Sequence, residues 1–585
     1  MKAARDNLQA FERELDAALE ALPVHCCGAD DALALAANMY EMAAMHRAGS
    51  GLFDRGMTIL AGSLVSGRSG GEPEIQALVE DLHFASHYYM LRDYLYYAYN
   101  APDAVSWNLT AHQVDVRFAD PTIPRQFFTV HNDTILRSRD MFEGSDAREA
   151  EVRRLLKGAP EGIVTERVEA AESLIALEVE TKLRAYFSIL PDDAAIDLGG
   201  YTYAQFVAFY RVLLGKALYH RYMAQENDAV GAIFIDPDEL VDAVAEDLSL
   251  EPAITRAILG DIVFDPAAGL DRLDASYFSL FREGGPRGRI VMRPHHFATS
   301  EGLVNLLRVV ARRRPQHYLH QVSNVLGRAF VQRARAAWEA QGFICRTEVS
   351  LREYDATLPD VDLLIISEEP TLGYVVFVCE LKSPLPPRWA KDQLKVLNRD
   401  SVSKAFRQAA AIRTFLDTDA GIDFLAKVLP PGGFPHFEGF VVAVNSLIIT
   451  SDNGGMFFGD QDTQIMSFRT LERLLARSDG DIAFIQHVLG TYNAVVDEHV
   501  RTTIVEFQLG NRTVTYEAVS DSPLIDFPQQ AWRTSPERQL MIEQFIADGA
   551  HPFDVLSERP TFPEGRPVRL RTRVERSGEP GVDPA

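Results

Sequence analysis

The sequence predicts a multidomain protein in which a mainly α-helical N-terminal region precedes an α/β domain with a mixed central sheet. Three observations carry this expectation. The chain has 585 residues, more than a single hydrophobic core usually serves. Apolar residues recur at helical spacing through most of the first 280 positions. After Gly284-Gly285-Pro286-Arg287-Gly288 the rhythm changes to helix, helix, three strands, helix, strand, helix. The expected division is an acidic regulatory, sensing or oligomerising region over 1–285 and the α/β domain over 290–500. An extension over 501–558 and a disordered tail over 559–585, rich in proline, arginine and glycine, would follow.

Taken in order, Leu8, Phe11, Leu15, Leu19 and Leu22 mark the first amphipathic helix. Further helices are expected near 31–47, 74–99, 163–189 and 203–222, and Pro237-Asp238 and Leu250-Glu251-Pro252 read as helix starts. Residues 106–137 carry more β-branched and aromatic residues, enough for a small sheet. The tyrosines between Phe84 and Tyr99 could stack bases, but a helical core or a dimer face suits that spacing better. Beyond the glycine-rich segment, helices are expected near 300–314 and 318–341. Strands follow at Phe343–Val349, Asp360–Ile366 and Tyr374–Leu381, the last two joined by the short polar turn Ser367–Gly373. Ser401–Leu416 reads as a helix, Pro430-Pro431-Gly432-Gly433 as a break, and Gly439–Val444 as another strand. Ser467 is placed to cap the helix after it.

Composition narrows the function classes. Hydrophobic residues at 47% and charged residues at 24% suit a folded protein. The four cysteines form neither a disulfide framework nor a CxxC metal ribbon. Met-Lys-Ala-Ala-Arg-Asp opens an amphipathic helix instead of the apolar core of a signal peptide. No run of eighteen apolar residues occurs, so a cytoplasmic protein without a membrane span is expected. The net charge of −25 is unevenly spread. Residues 282–346 hold 12 arginines against three glutamates, net +9, and residues 381–415 carry net +6, while 347–380 between them carry −7. The basic stretches could be solvated helix faces, but beside a candidate metal site they suit a phosphate track.

That candidate site is Asp360-Val361-Asp362 at the head of one apolar strand and Glu380-Leu381-Lys382 at the end of the next. Residues two apart on a strand share a face, so a hairpin lands Asp360 or Asp362 near Glu380. Paired carboxylates attract a hard cation, Mg²⁺ or Mn²⁺. Lys382 could hold or deprotonate an attacking water, or steady the charge of a pentavalent phosphate.

This order of elements resembles the PD-(D/E)xK nuclease superfamily, whose fold is restriction-endonuclease-like. The likeness spans about residues 315–480, with the text Asp360-Val361-Asp362 followed by Phe377-Val378-Cys379-Glu380-Leu381-Lys382. It implies that Asp362 and Glu380 are metal ligands, that Asp360 is an alternative or supplementary ligand, and that Lys382 is the catalytic lysine. It also implies a glutamine on the substrate side of the following helix, which Gln408 matches. Many members carry a glutamate in the helix before the first strand. Gly327–Gln332 has none here, leaving Glu339 or Glu348 as substitutes.

The resemblance implies a Mg²⁺- or Mn²⁺-dependent nuclease acting on nucleic acid, with DNA the expected substrate, and suits a bacterial defence or restriction-type effector. Arg312, Arg313, Arg314, Arg328, Arg333 and Arg335 would hold phosphates, and Lys404, Arg407 and Arg413 would continue the track. A homo-oligomer would suit double-strand cutting. The competing expectation is a non-catalytic nucleic-acid- or protein-binding scaffold that keeps the fold. Other signals have less support: His317 and His320 lack a third metal ligand, and Gly67–Gly71 lacks the GK[ST] of a phosphate-binding loop.

Overall fold

A computed structural model describes residues 2–46, 50–64, 70–142, 145–158, 165–186, 189–194, 196–227, 231–265, 272–284, 287–369, 373–385, 387, 389–395, 402–430, 439–451, 463–520 and 570–575. It shows a mixed α/β protein with a helical N-terminal region and several mixed sheets. The first helices are α1 (Lys2–Glu20), α2 (Ala29–Met45), α3 (Ser50–Ser63) and α4 (Ile75–Asn100). The aromatic stretch lies on α4, where Tyr88, Tyr94 and Tyr97 are buried in the core these helices share. It is therefore packing surface in the fold itself.

Strands β1 (Val105–Leu109) and β2 (Gln113–Phe118) follow, then α5 (Thr122–Phe142), α6 (Ser145–Leu156), α7 (Glu166–Tyr186) and α8 (Tyr203–Glu226). Thr202 and Gln205 form a capping box at the start of α8. A small second sheet combines β3 (Ile233–Ile235), β4 (Val263–Phe264), β5 (Leu280–Arg282) and β6 (Ile290–Met292), with α9 (Pro237–Leu248) and α10 (Pro252–Ile262) between its first strands. The 3₁₀ turn Arg272–Tyr277 precedes β5.

Strands β5 and β6, on either side of Gly284–Gly288, pair antiparallel, and the Glu283 N–H donates to the Arg289 C=O. The segment does not mark the boundary between domains that the sequence suggested. Short glycine-rich segments serve hairpins as readily as linkers. One continuous core moreover contains residues from Phe128 to Val496, on both sides of that segment.

Next come α11 (Pro294–Thr299), α12 (Gly302–Arg313) and the helical turn α13 (Pro315–His317). A π-helical turn, Tyr318–Ser323, leads into α14 (Asn324–Glu339). The third sheet holds β7 (Ile344–Val349), β8 (Val361–Glu369), β9 (Gly373–Lys382), β10 (Gly439–Thr450) and β11 (Gln464–Ser467), in the order β11-β10-β9-β8-β7. Strands β7, β8 and β9 are antiparallel neighbours, whereas β9, β10 and β11 run parallel. A parallel step needs a long crossover. The one from β9 to β10 contains α15 (Ala390–Lys395), α16 (Val402–Leu416) and α17 (Asp419–Val428).

Side chains alternate across this sheet. Leu363, Ile365, Val375, Phe377, Cys379 and Leu381 pack with Trp338 of α14 and with α18 (Phe468–Ser478) and α19 (Ile482–His499). Leu364, Ile366, Val376 and Val378 pack with Ile412 and Leu416 of α16 and Phe424 of α17. Helices on both faces explain why β8 and β9 read as unbroken apolar runs.

The C-terminal residues rejoin earlier parts of the fold. Strands β12 (Thr502–Leu509) and β13 (Arg512–Val519) complete the first sheet, β1-β2-β13-β12, and the Tyr94 hydroxyl donates to Glu517 C=O at 2.7 Å. The expected extension is thus, up to residue 520, part of the N-terminal sheet. Strand β14 (Leu570–Glu575) pairs antiparallel with the first half of β10. A wholly disordered tail is therefore corrected at this point: Leu570, Thr572 and Val574 alternate with charged residues, a strand period hidden among prolines and glycines. Residues 521–569 and 576–585 lie outside the described residues, as do 370–372 and 431–433 of the expected turn and break.

Candidate active site

The β8–β9 hairpin decides what meets at the sheet's end. Its ladder pairs Leu363 with Cys379, so the next facing positions are Asp362 and Glu380. The alternation that sends Val376 and Val378 toward α16 sends Glu380 to the same face. Glu380 is fully buried. Lys382 Nζ lies 2.9 Å from Glu380 Oε2 and 3.5 Å from Asp362 Oδ2, and the Leu381 N–H donates to Asp362 Oδ2 at 2.8 Å. Asp362 and Lys382 are partly exposed, with side chains 32% and 15% accessible, so the cluster meets solvent on their side.

Burial pushes the Glu380 carboxyl up to about 7. The Lys382 ammonium opposes that rise, while the Asp362 carboxylate adds to it. One Glu380 oxygen, Oε1, is buried without a hydrogen-bond partner. An unsatisfied buried carboxylate oxygen costs free energy and suits a group that the fold keeps ready for a ligand. The strand's exit is pinned as well: Ser451 N–H donates to Lys382 C=O at 2.9 Å, and Ser451 Oγ donates to Pro384 C=O at 2.8 Å. No local sequence signal marked Ser451, whose contact depends on β10 lying beside β9.

Helix α16 packs across this end of the sheet, with Val402 and Ala405 against Ile448, the residue registered beside Glu380. Gln408 lies one turn beyond Lys404 on this helix, and its Oε1 is also buried without a partner. Lys404 and Arg407 are exposed.

Other sequence candidates are not brought to the cluster. Asp360 precedes β8 and turns to Ser350 Oγ, which donates to it at 2.9 Å, and to Arg352 at 3.4 Å. Two-residue alternation does not carry it to Glu380 because the strand begins at Val361. Glu339 pairs with Arg335 on its own helix at 2.7 Å. Glu348 is exposed, and its φ of 52° interrupts the β7–β8 ladder opposite Asp362.

The arginine track is mostly committed elsewhere. Arg312 pairs with the buried Asp274, and Arg313 and Arg314 both pair with the buried Asp261. Arg333 pairs with Glu472 at 2.8 Å. Arg328 is exposed and has no ion pair among the described residues. His317 Nε2 sits 2.8 Å from the Asp197 carbonyl oxygen, a structural contact.

Among the described residues, no three His, Cys, Asp or Glu side chains are grouped to hold a metal. The two carboxylates of Asp362 and Glu380, with the unpartnered Oε1, nevertheless form a hard-oxygen donor pair. That pair suits a cation completing its shell with water and substrate oxygens, as Mg²⁺ does. No helix among the described residues is long and apolar enough to cross a membrane. No protein-family model, curated protein or solved structure matches the chain.

Proposed function

We propose that the domain built on the third sheet is a restriction-endonuclease-like, metal-dependent nuclease domain that hydrolyses phosphodiester bonds in nucleic acid, with DNA as the substrate. The supporting observation is the convergence of Asp362, Glu380 and Lys382 at the mouth of an apolar sheet, with Glu380 Oε1 buried and unpartnered. A bound Mg²⁺ or Mn²⁺ would supply Lewis acidity and lower the pKa of a coordinated water. Asp362 and Glu380 would hold that cation. Lys382, beside both carboxylates, would offset part of their charge and would position water or steady charge on the phosphate. Gln408 would present its amide to the substrate from α16, and the exposed Lys404 and Arg407 would engage backbone phosphates.

A second reading, a non-catalytic scaffold, is favoured by one observation: Arg312, Arg313, Arg314 and Arg333 are held in internal ion pairs. Assays on plasmid, linear and single-stranded DNA and on RNA with Mg²⁺ or Mn²⁺ separate the two. Cleavage by the wild type that falls by roughly 100-fold or more in Glu380→Ala and in Lys382→Ala is the expected result. Cleavage surviving both substitutions would remove the assignment.

The contact surface makes a separate prediction. Lys404→Ala and Arg407→Ala should each reduce the slope of log affinity against log salt by about one, while Arg312→Ala should leave it unchanged. Filter binding from low to moderate salt measures this, and an equal loss at Arg312 would restore the longer arginine track.

A further inference from the structure

The chain leaves β9 at Lys382 and enters α16 at Val402, and both elements belong to the cores on the faces of the third sheet. The short helix between them does not. Trp389, Ala390 and Leu394 are buried in the core of α1–α4, among residues of the N-terminal region. Polar contacts hold this insertion on every side. The Trp389 Nε1–H donates to the Tyr277 hydroxyl at 2.8 Å, and that hydroxyl donates to Asp392 Oδ2 at 2.8 Å. Arg308, itself buried, pairs with the same carboxylate. The Ala390 N–H donates to the buried Asp93, and the Tyr97 hydroxyl donates to Gln393. The Tyr96 ring meets the Trp389 indole edge-on at 5.2 Å.

On the β9 side the connection is short and its start is held. Ser451 holds Lys382 and Pro384 on the sheet side, and only a few residues separate Pro384 from the Trp389 anchor. Only four residues lie between Pro384 and Trp389, which leaves little chain to absorb a displacement of the anchor, and packed elements with fixed contacts transmit displacement.

We propose that Trp389–Leu394 is a tether through which the N-terminal helical region sets the position of Lys382, and so regulates the candidate site. A shift of α4 or of the Arg272–Tyr277 turn would move Trp389 and Asp392, and with them the strand end carrying Lys382. The effect on cleavage rests on the nuclease reading above, whereas the mechanical coupling does not.

Hydrogen–deuterium exchange on the full-length protein tests the coupling, and steady-state cleavage tests its consequence. Asp392→Asn keeps the side-chain shape and removes the charge that faces Arg308. Trp389→Phe keeps an aromatic ring and removes the indole N–H, and it serves if the first variant fails to fold. Either variant should speed exchange by roughly tenfold at 389–395 and also at 380–384, with α7 unchanged. The turnover number should fall severalfold with little change in KM. Faster exchange confined to 389–395 would overturn the tether, whether or not the wild type cuts. Exchange that spreads to 380–384 in a cutting enzyme whose turnover is unchanged would overturn the regulatory role. A wild type that does not cut, with exchange still spreading, would leave the tether standing and remove the nuclease reading.

Discussion

Replacing Glu380 with glutamine is expected to stabilise the protein at alkaline pH and to abolish cleavage, opposite effects from one isosteric change. Glu380 is fully buried, one oxygen lacks a partner, and burial raises its carboxyl to about 7. A carboxyl whose folded pKa lies above its unfolded value gives its full stability below the unfolded value, near 4.3 for glutamate. That contribution is lost as pH rises through about 7. A tenfold change in proton affinity corresponds to about 1.4 kcal/mol, so ionised Glu380 can cost up to about 3 kcal/mol at pH 8. Glutamine has no such cost. Urea denaturation should therefore show the two proteins close in stability near pH 4.5 and separating as pH rises toward 8, with the variant the more stable. Cleavage should drop by about 10²–10⁴, because glutamine cannot hold a divalent cation as a carboxylate does. Parallel pH profiles for the two proteins would show that Glu380 carries no burial cost. Cutting within tenfold of wild type would remove it from the chemistry.

Stability lost at the very residue proposed for function follows the general trade between the two. It also explains why this cluster was legible in the sequence. Charges closing an otherwise apolar strand break the local pattern, and such breaks concentrate where a fold is used. The hairpin was legible too, because β8 and β9 lie close in sequence and their antiparallel ladder sets Asp362 opposite Glu380. Helix α16 and the Ser467 cap, which accepts from Thr470 N–H, rest on equally local signals.

What the sequence concealed depends on distant partners. Asp360 shares its parity with Asp362, but Ser350 and Arg352 take its carboxylate before the strand begins. Nothing near residue 389 shows that Trp389 will enter a core formed by helices some 300 residues earlier. Strands β12 and β13 return to β1 and β2 across some 400 residues, a pairing without local trace. The arginine run misled for the same reason. Charge counting finds Arg312, Arg313 and Arg314 in a basic stretch, whereas their counter-ions, Asp261 and Asp274, lie in the acidic region the count had set apart.

Asp261→Ala is expected to destabilise the protein by about 3–5 kcal/mol, the usual cost of removing one partner from a buried charged cluster. Asp261 is only 4% exposed. It accepts from the Tyr201 hydroxyl at 2.6 Å and from Arg313 at 3.0 Å, and it pairs with Arg314. Without it, two guanidinium groups and a phenol lose their shared acceptor beside the apolar ring of Phe278, which Arg313 covers at 5.8 Å. Arg313 keeps the Gly260 carbonyl at 2.6 Å and Arg314 keeps that of Gly199 at 3.4 Å, which limits the loss to the lower part of that range. Asp261→Asn retains an acceptor and should cost less, while Arg328→Ala, at an exposed position, should stay within about 0.5 kcal/mol. Denaturant midpoints at constant m-value measure all three. If the triplet instead served nucleic acid, Asp261→Ala would free two arginines, leave stability nearly unchanged and tighten DNA binding at low salt. The two accounts thus assign opposite outcomes to one substitution: a weaker fold with unaltered binding, or an intact fold that binds more tightly.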